Sequence, residues 1–321
     1  MLTLTFPVVA ACAAAPALDE PDLTYQVAAP ARSSDNPFAG QKLYVDPDAS
    51  AAVQARAWRT TRPDDAAQLD KLARSSQADW LGGWSTEATV RARVATIRAA
   101  GALPVFVLYN IPGRDCGQFS AGGADTGAAY ASWIDSVARG LDGHPAAVVL
   151  EPDAIALTDC LSQAGRDARF AMLARAIDTL SSRGVAVYLD AGHSSWHAPA
   201  EMAARLIAAG VAKARGFSVN VSNYRKTEDE LAYGREIAAR VGKAFVVDTS
   251  RNGLGPRGGE WCNPEGRALG ARPTAETADP RADAYLWIKR PGESDGTCNG
   301  GPTAGAFWAQ YALGLAKRAA Y

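Results

Sequence analysis

The chain has 321 residues, of which 48% are hydrophobic, and a formal net charge of −1. Its Lys and Arg are scattered with no basic block, so nothing favours a nucleic-acid partner, and no apolar run reaches the roughly 20 residues of a membrane span. The length suits one large α/β domain or two smaller ones.

In chain order, residues 1–17 are apolar and end in Ala13-Ala14-Ala15-Pro16-Ala17, the small-residue pattern of an export signal. Within them Val9-Ala10-Ala11-Cys12 resembles a lipobox, which makes Cys12 a candidate lipid anchor. Residues 18–36 are rich in Ala, Pro, Asp and Ser and read as a disordered leader, so a single folded domain is expected over 37–321. Residues 43–45 are a short strand candidate. Helices are expected over 49–59 and 66–75, a strand over 78–81, and a helix over 86–100, where Val90, Val94 and Ile97 recur at helical spacing before Gly101. Strands follow at 103–109, 148–150, 185–189, 217–221, 245–247 and 285–289, with helices at 128–141, 166–180, 199–209, 227–241 and 304–319. Residues 253–279 read as a long loop dense in Gly, Pro and Arg. Strands alternating with helices imply a parallel sheet. About eight strands, with no GxGxxG or GxxxxGK after any of them, favour a TIM-like (β/α) barrel, closed or nearly so, over a nucleotide-binding sheet. No cofactor is implied.

The strand ends carry the chemistry. Val148-Val149-Leu150 runs into Glu151-Pro152-Asp153. Pro152 cannot donate to a ladder and marks the strand's end, which puts Asp153 at a strand tip, where barrel enzymes hold their catalytic groups. Other strands run into Arg114-Asp115, Asp190-Ala191-Gly192-His193, Asp248-Thr249-Ser250-Arg251 and Gly292-Glu293-Ser294-Asp295. One such aspartate is ordinary helix capping; several in register make an acidic rim. Aspartates packed together cannot all ionise cheaply, so at least one keeps its proton near neutral pH and can serve as a general acid.

Only three histidines are present. His193 and His197 lack the intervening Glu of HExxH and are followed by Pro199, so no metal site is expected. Trp80, Trp84, Trp196 and Trp261 fall at strand ends or in loops and suit stacking on the apolar faces of sugar rings, whereas Trp133, Trp287 and Trp308 fall inside elements and read as core. Beyond Cys12 the chain holds Cys116, Cys160, Cys262 and Cys298, an even number; two bridges and four buried thiols both fit.

Seven segments then stand out together: Tyr109-Asn110-Ile111-Pro112-Gly113-Arg114-Asp115-Cys116, Leu150-Glu151-Pro152-Asp153, Asp190-Ala191-Gly192-His193-Ser194-Ser195-Trp196, Asn220-Val221-Ser222-Asn223-Tyr224, Asp248-Thr249-Ser250-Arg251-Asn252-Gly253, Glu260-Trp261-Cys262-Asn263 and Trp287-Ile288-Lys289-Arg290-Pro291-Gly292-Glu293-Ser294-Asp295-Gly296. In this order they resemble glycoside hydrolase family 6, which holds bacterial endoglucanases and fungal cellobiohydrolases, over residues 37–316. The resemblance implies a distorted, incompletely closed parallel barrel that hydrolyses β-1,4-glucosidic bonds with inversion. It makes Asp153 the proton donor. Asp115 is then the neighbour that keeps the donor protonated and takes a proton from the attacking water through a second water. Tyr109 packs under the reacting sugar, Asp295 is a candidate base, and Asp190 is a supporting carboxylate. Trp80, His193, Trp196, Asn223, Trp261, Lys289 and Glu293 match glucose-binding positions, and the resemblance pairs Cys116 with Cys160 and Cys262 with Cys298. The segments 297–305 and 116–130 are short where cellobiohydrolases carry roofing insertions, which implies an open cleft and internal cleavage. The expectation is a secreted, monomeric endo-β-1,4-glucanase acting on cellulose and cello-oligosaccharides. A cellobiohydrolase and a catalytically silent glucan-binding barrel are the alternatives.

Overall fold

The computed structural model describes residues 1–2 and 35–321. The expected signal, the Cys12 anchor and the leader fall outside these residues apart from their end positions. Seven strands, β1 (Asp79–Leu81), β2 (Val105–Leu108), β3 (Ala147–Leu150), β4 (Ala186–Asp190), β5 (Gly216–Val219), β6 (Ala244–Asp248) and β7 (Ala282–Leu286), pair in sequence order, every pair parallel. Around them run α1 (Ser50–Trp58), α2 (Pro63–Ala73), α3 (Glu87–Ala99), α4 (Gly127–Leu141), α5 (Gln163–Ser181), α6 (Pro199–Ala208), α7 (Thr227–Val241) and α8 (Ala309–Lys317). Among the described residues no helix is long and apolar enough to cross a membrane.

The strands are apolar on both faces because both are covered. Phe106, Leu108, Val148 and Leu150 pack outward with helix residues such as Val94, Ile134 and Leu173. Val105, Val107, Ala147 and Val149 point the other way, into an interior shared with Phe38, Tyr188 and Ile288. A third cluster joins α1, α2 and α8 around Leu69, Leu72 and Leu315. Trp133 lies inside α4 and packs against the outer cluster; Trp287 and Trp308 are core as expected, Trp287 buried and Trp308 half-buried in the third cluster, although they fall just after β7 and just before α8 and not inside them.

The barrel does not close by a ladder. Between β1 and the segment after β7, Ala78 N–H donates to Trp287 O at 3.0 Å, Trp80 Nε1 donates to Ile288 O at 2.9 Å, and Arg290 pairs with Asp79 at 2.5 Å. A seam made largely of side chains stands where a barrel would have a strand pair.

Several boundaries differ from the sequence reading. Residues 43–45 make a single parallel bridge, Leu43 to Leu103, not a strand, so the sheet has seven members. The last strand ends at Leu286, three residues short of Lys289. Ile288 and Lys289 instead donate their N–H groups to the Asp248 carboxylate, at 3.3 and 2.9 Å. The final helix begins at Ala309. Ahead of it Ala304 and Gly305 turn, with Ala306 N–H on Thr303 O at 3.1 Å, and the next two residues are held off the helix because Phe307 bridges Glu293 and Trp308 N–H donates to Gly292 O at 2.7 Å. α2 and α5 each start three residues early, with Pro63 in the first turn of one and Ser162 capping the other through Gly165 N–H at 3.2 Å.

Candidate active site

The C-terminal strand ends open onto a cleft of about 310 Å³. At the end of β3 the backbone enters the left-handed region twice, at Glu151 (φ 50°) and Asp153 (φ 67°). Such conformations cost a non-glycine residue of order 1 kcal/mol or more and concentrate at functional sites. Glu151, fully buried, accepts the N–H groups of Asn110 and Ile111 at 2.9 to 3.0 Å and so ties the chain leaving β2 to β3.

Asp153 turns toward the cleft, and its own N–H donates to Asp190 Oδ2 at 2.9 Å. Asp190, the last residue of β4, also accepts Gly192 N–H at 3.2 Å and the Ser218 hydroxyl at 3.0 Å. Among the described residues no N–H reaches the Asp153 carboxyl. Burial, followed by the charges of Asp190, Asp115 and Asp295, pushes Asp153 well above the usual carboxylate range. Burial also lifts Asp190, to about 7, but its three donors oppose the rise. Of these two interacting carboxyls, the one holding three donors is the better anion, and the one with none retains the proton.

Asp115 stands in the loop after β2, also at positive φ (57°), and accepts Ser120 N–H at 2.6 Å. Burial raises its pKa against the pull of Ser120 and Arg114. The loop is anchored by the Cys116–Cys160 disulfide and by Arg114, which donates to Tyr109 O at 2.6 Å and to Ser120 O at 2.8 Å. The same guanidinium lies 4.7 Å from the Tyr109 ring, and Trp80 meets that ring edge-on at 5.4 Å, so Tyr109 is held from two sides. Burial and the charges of Asp153 and Asp115 keep its phenol protonated.

Asp295 lies in a different field. Its Oδ2 accepts Arg251 Nη1 at 2.9 Å, Asn263 N–H at 3.0 Å and the Tyr224 hydroxyl at 3.3 Å, while Lys289 Nζ stands 3.8 Å from Oδ1. Burial would raise this carboxyl, but Arg251 and Lys289 outweigh it and hold the pKa below the ordinary value. The Cys262–Cys298 disulfide fastens the long loop to the segment that carries Asp295. Asp248, the remaining strand-end aspartate, is fully buried below the site. It accepts the N–H groups of Ser222, Ser250, Ile288 and Lys289, stitching together the ends of β5, β6 and β7.

Trp80, His193, Trp196, Asn223, Trp261 and Lys289 all line the cleft. Glu293 does not: its carboxylate turns to Arg290 at 3.7 Å. Trp84 also lies outside the lining. His193 is kept neutral, its pKa lowered to about 4 by burial and by Arg225, and its Nδ1 accepts Ser195 N–H at 3.2 Å. Beneath this loop Glu230 of α7, fully buried, accepts Ser194 N–H at 3.0 Å. Sequence reasoning assigned no role to Glu151, Arg251 or Glu230. The first two stood inside motifs already singled out; Glu230 lies 36 residues from Ser194 in an ordinary helix, with nothing local to mark it. Among the described residues no group of three or more His, Cys, Asp or Glu is placed to hold a metal ion.

The site therefore combines a donor-free carboxyl whose pKa is raised, neighbouring carboxylates and three indoles along one cleft, a set suited to acid–base cleavage of a neutral, ring-faced substrate. Comparison with known proteins agrees. Residues 38–319 match the family described as glycosyl hydrolases family 6. Endoglucanase A of Cellulomonas fimi is 47% identical over 86% of this chain, which spans 61% of that protein, less than two thirds of its length. Endoglucanase 1 of Streptomyces halstedii is 44% identical over 89% of this chain and 91% of its own. The fold matches the endoglucanase of Mycobacterium tuberculosis solved with methyl-cellobiosyl-4-deoxy-4-thio-beta-D-cellobioside, with a TM-score of 0.84 and 50% identity over 88% of this chain and 98% of that one.

Proposed function

Because the chain belongs to glycosyl hydrolases family 6, we propose that it is an endo-β-1,4-glucanase that cleaves internal bonds of cellulose and soluble β-glucans with inversion of configuration. The observation that carries the reading is Asp153, a carboxyl without donors at a strained strand end, set against a donor-rich Asp190.

In this mechanism the Asp153 proton passes to the glycosidic oxygen as the bond from C1 to that oxygen breaks. Water attacks C1 from the opposite face, and its proton leaves through a second water to Asp115. That carboxylate accepts one N–H, from Ser120, and its raised pKa makes it the stronger proton acceptor. Asp295, pinned by Arg251, serves as a fixed negative charge facing the developing oxocarbenium ion. Tyr109 supports the reacting ring, while Trp80, Trp196 and Trp261 stack on sugars along the cleft and His193, Asn223 and Lys289 hold their hydroxyls. The catalytic unit is residues 37–321, acting as a monomer. Two disulfides suit an oxidising compartment, so the reading includes export, with Cys12 as the candidate lipid anchor.

The test is hydrolysis of carboxymethylcellulose. Viscosity should fall well ahead of reducing-sugar release, and Asp153→Ala should abolish both. Proton NMR of early cello-oligosaccharide products should show the α-anomer first. Appearance of the β-anomer first would overturn inversion and, with it, the role given to Asp115.

A further inference from the structure

We propose that Trp84 is a further sugar-stacking platform, outside the cleft, for the same β-1,4-glucan chain; the inference rests on the glucanase reading above. Trp84 is 67% exposed, more than any other aromatic side chain among the described residues. A single exposed apolar residue ordinarily carries no message, but this one is seated. A Cβ built on Gly82 would collide with Cη2, Cζ3 and Cε3 of the Trp84 indole. Gly82 is not among the glycines with positive φ, so its backbone is open to any residue; the indole is what excludes a side chain. The ring thus rests on the turn after β1, which is closed by Ser85 N–H to Gly82 O at 2.8 Å and Gly82 N–H to Ser85 Oγ at 3.3 Å. The rest of the ring faces solvent, and its N–H makes no hydrogen bond within the described residues. A fixed indole with one apolar surface and one free donor matches the mixed character of a sugar ring.

The position fits a polymer that continues past the cleft. The turn leaves the C-terminal end of β1, on the rim that bears the cleft, and a Cβ on the adjoining Gly83 would lie 3.2 Å from Asn110 Oδ1, next to Tyr109. Trp84 follows Trp80, a cleft residue, by four positions. Four residues span at most about 14 Å when fully extended, and a closed turn shortens that reach. A glucan chain running out over Trp80 therefore passes close to the second indole.

Trp84→Ala removes the platform; Gly82→Ala keeps the indole and displaces it from its seat. Both variants, with matched thermal midpoints as the folding control, are compared with wild type on carboxymethylcellulose and on cellotetraose. Both should raise KM for the polymer about threefold to tenfold, as the loss of an aromatic contact predicts. The kcat on the polymer and all cellotetraose kinetics should stay unchanged. An unchanged polymer KM for Trp84→Ala, or an equal loss on cellotetraose, would overturn the proposal. If wild type cleaves neither substrate, the glucanase reading fails and takes this inference with it.

Discussion

Glu230→Gln isolates one buried carboxyl. Glu230 is fully buried in α7, with Ser194 N–H on Oε1 at 3.0 Å. Burial pushes its pKa from 4.5 up to about 7, although Ser194 and Arg225 pull the other way. Below pH about 4.5 the folded and unfolded chains both hold this proton, and well above pH 7 neither does. Between these limits the folded state holds a proton that the unfolded state lacks, so stability falls as pH rises. At about 1.4 kcal/mol per pH unit, the displacement from 4.5 to about 7 amounts to a loss of about 3 kcal/mol. Gln keeps an oxygen for Ser194 N–H and does not titrate. Urea unfolding of the oxidised proteins at pH 4 and pH 8 should therefore show the variant gaining about 3 kcal/mol on wild type across the range. Glu151 and Asp190, also lifted to about 7, titrate in both proteins and cancel. A stability difference that stays flat with pH would refute the reasoning.

Other substitutions probe the remaining parts of the site. Asp153→Asn should cut the rate on cellulose about 10²- to 10⁴-fold but act far less on a cello-oligosaccharyl fluoride, whose leaving group needs no proton; equal losses would remove Asp153 as the acid. Arg251→Met takes from the buried Asp295 its direct ion-pair partner, leaving Lys289 at 3.8 Å, and should cost about 3 kcal/mol in urea unfolding near neutral pH. Because the folded pKa of Asp295 is depressed, the ion pair stabilises above the unfolded carboxylate value and is lost as pH falls through the folded one, so this deficit should shrink in acid; a deficit constant down to strong acid contradicts the assignment. The double change Cys116→Ser and Cys160→Ser opens a bridge of sequence separation 44 and should cost about 4 kcal/mol on the chain-entropy estimate. Thiol titration of the denatured, unreduced wild type should find none of Cys116, Cys160, Cys262 and Cys298 free.

The sequence by itself determined the alternation of strands and helices and the rim of aspartates at the strand ends. These are readable because side-chain period, chain-breaking prolines and ordered motifs are local information. Val90, Val94 and Ile97 announce one helix face wherever that helix packs. It misplaced the end of β7 and the start of α8, because Asp248 and the Gly292–Glu293 turn draw those backbones away from regular structure through contacts that no local pattern encodes. Only the tertiary structure decided how each carboxylate is held. Asp153, Asp190 and Asp295 look alike as residues at strand ends, yet one has no donor, one has three, and one is paired with a buried arginine 44 residues away. Whether a carboxyl keeps its proton depends on excluded water and on donors brought from other strands, and those are set only when the chain has closed around it.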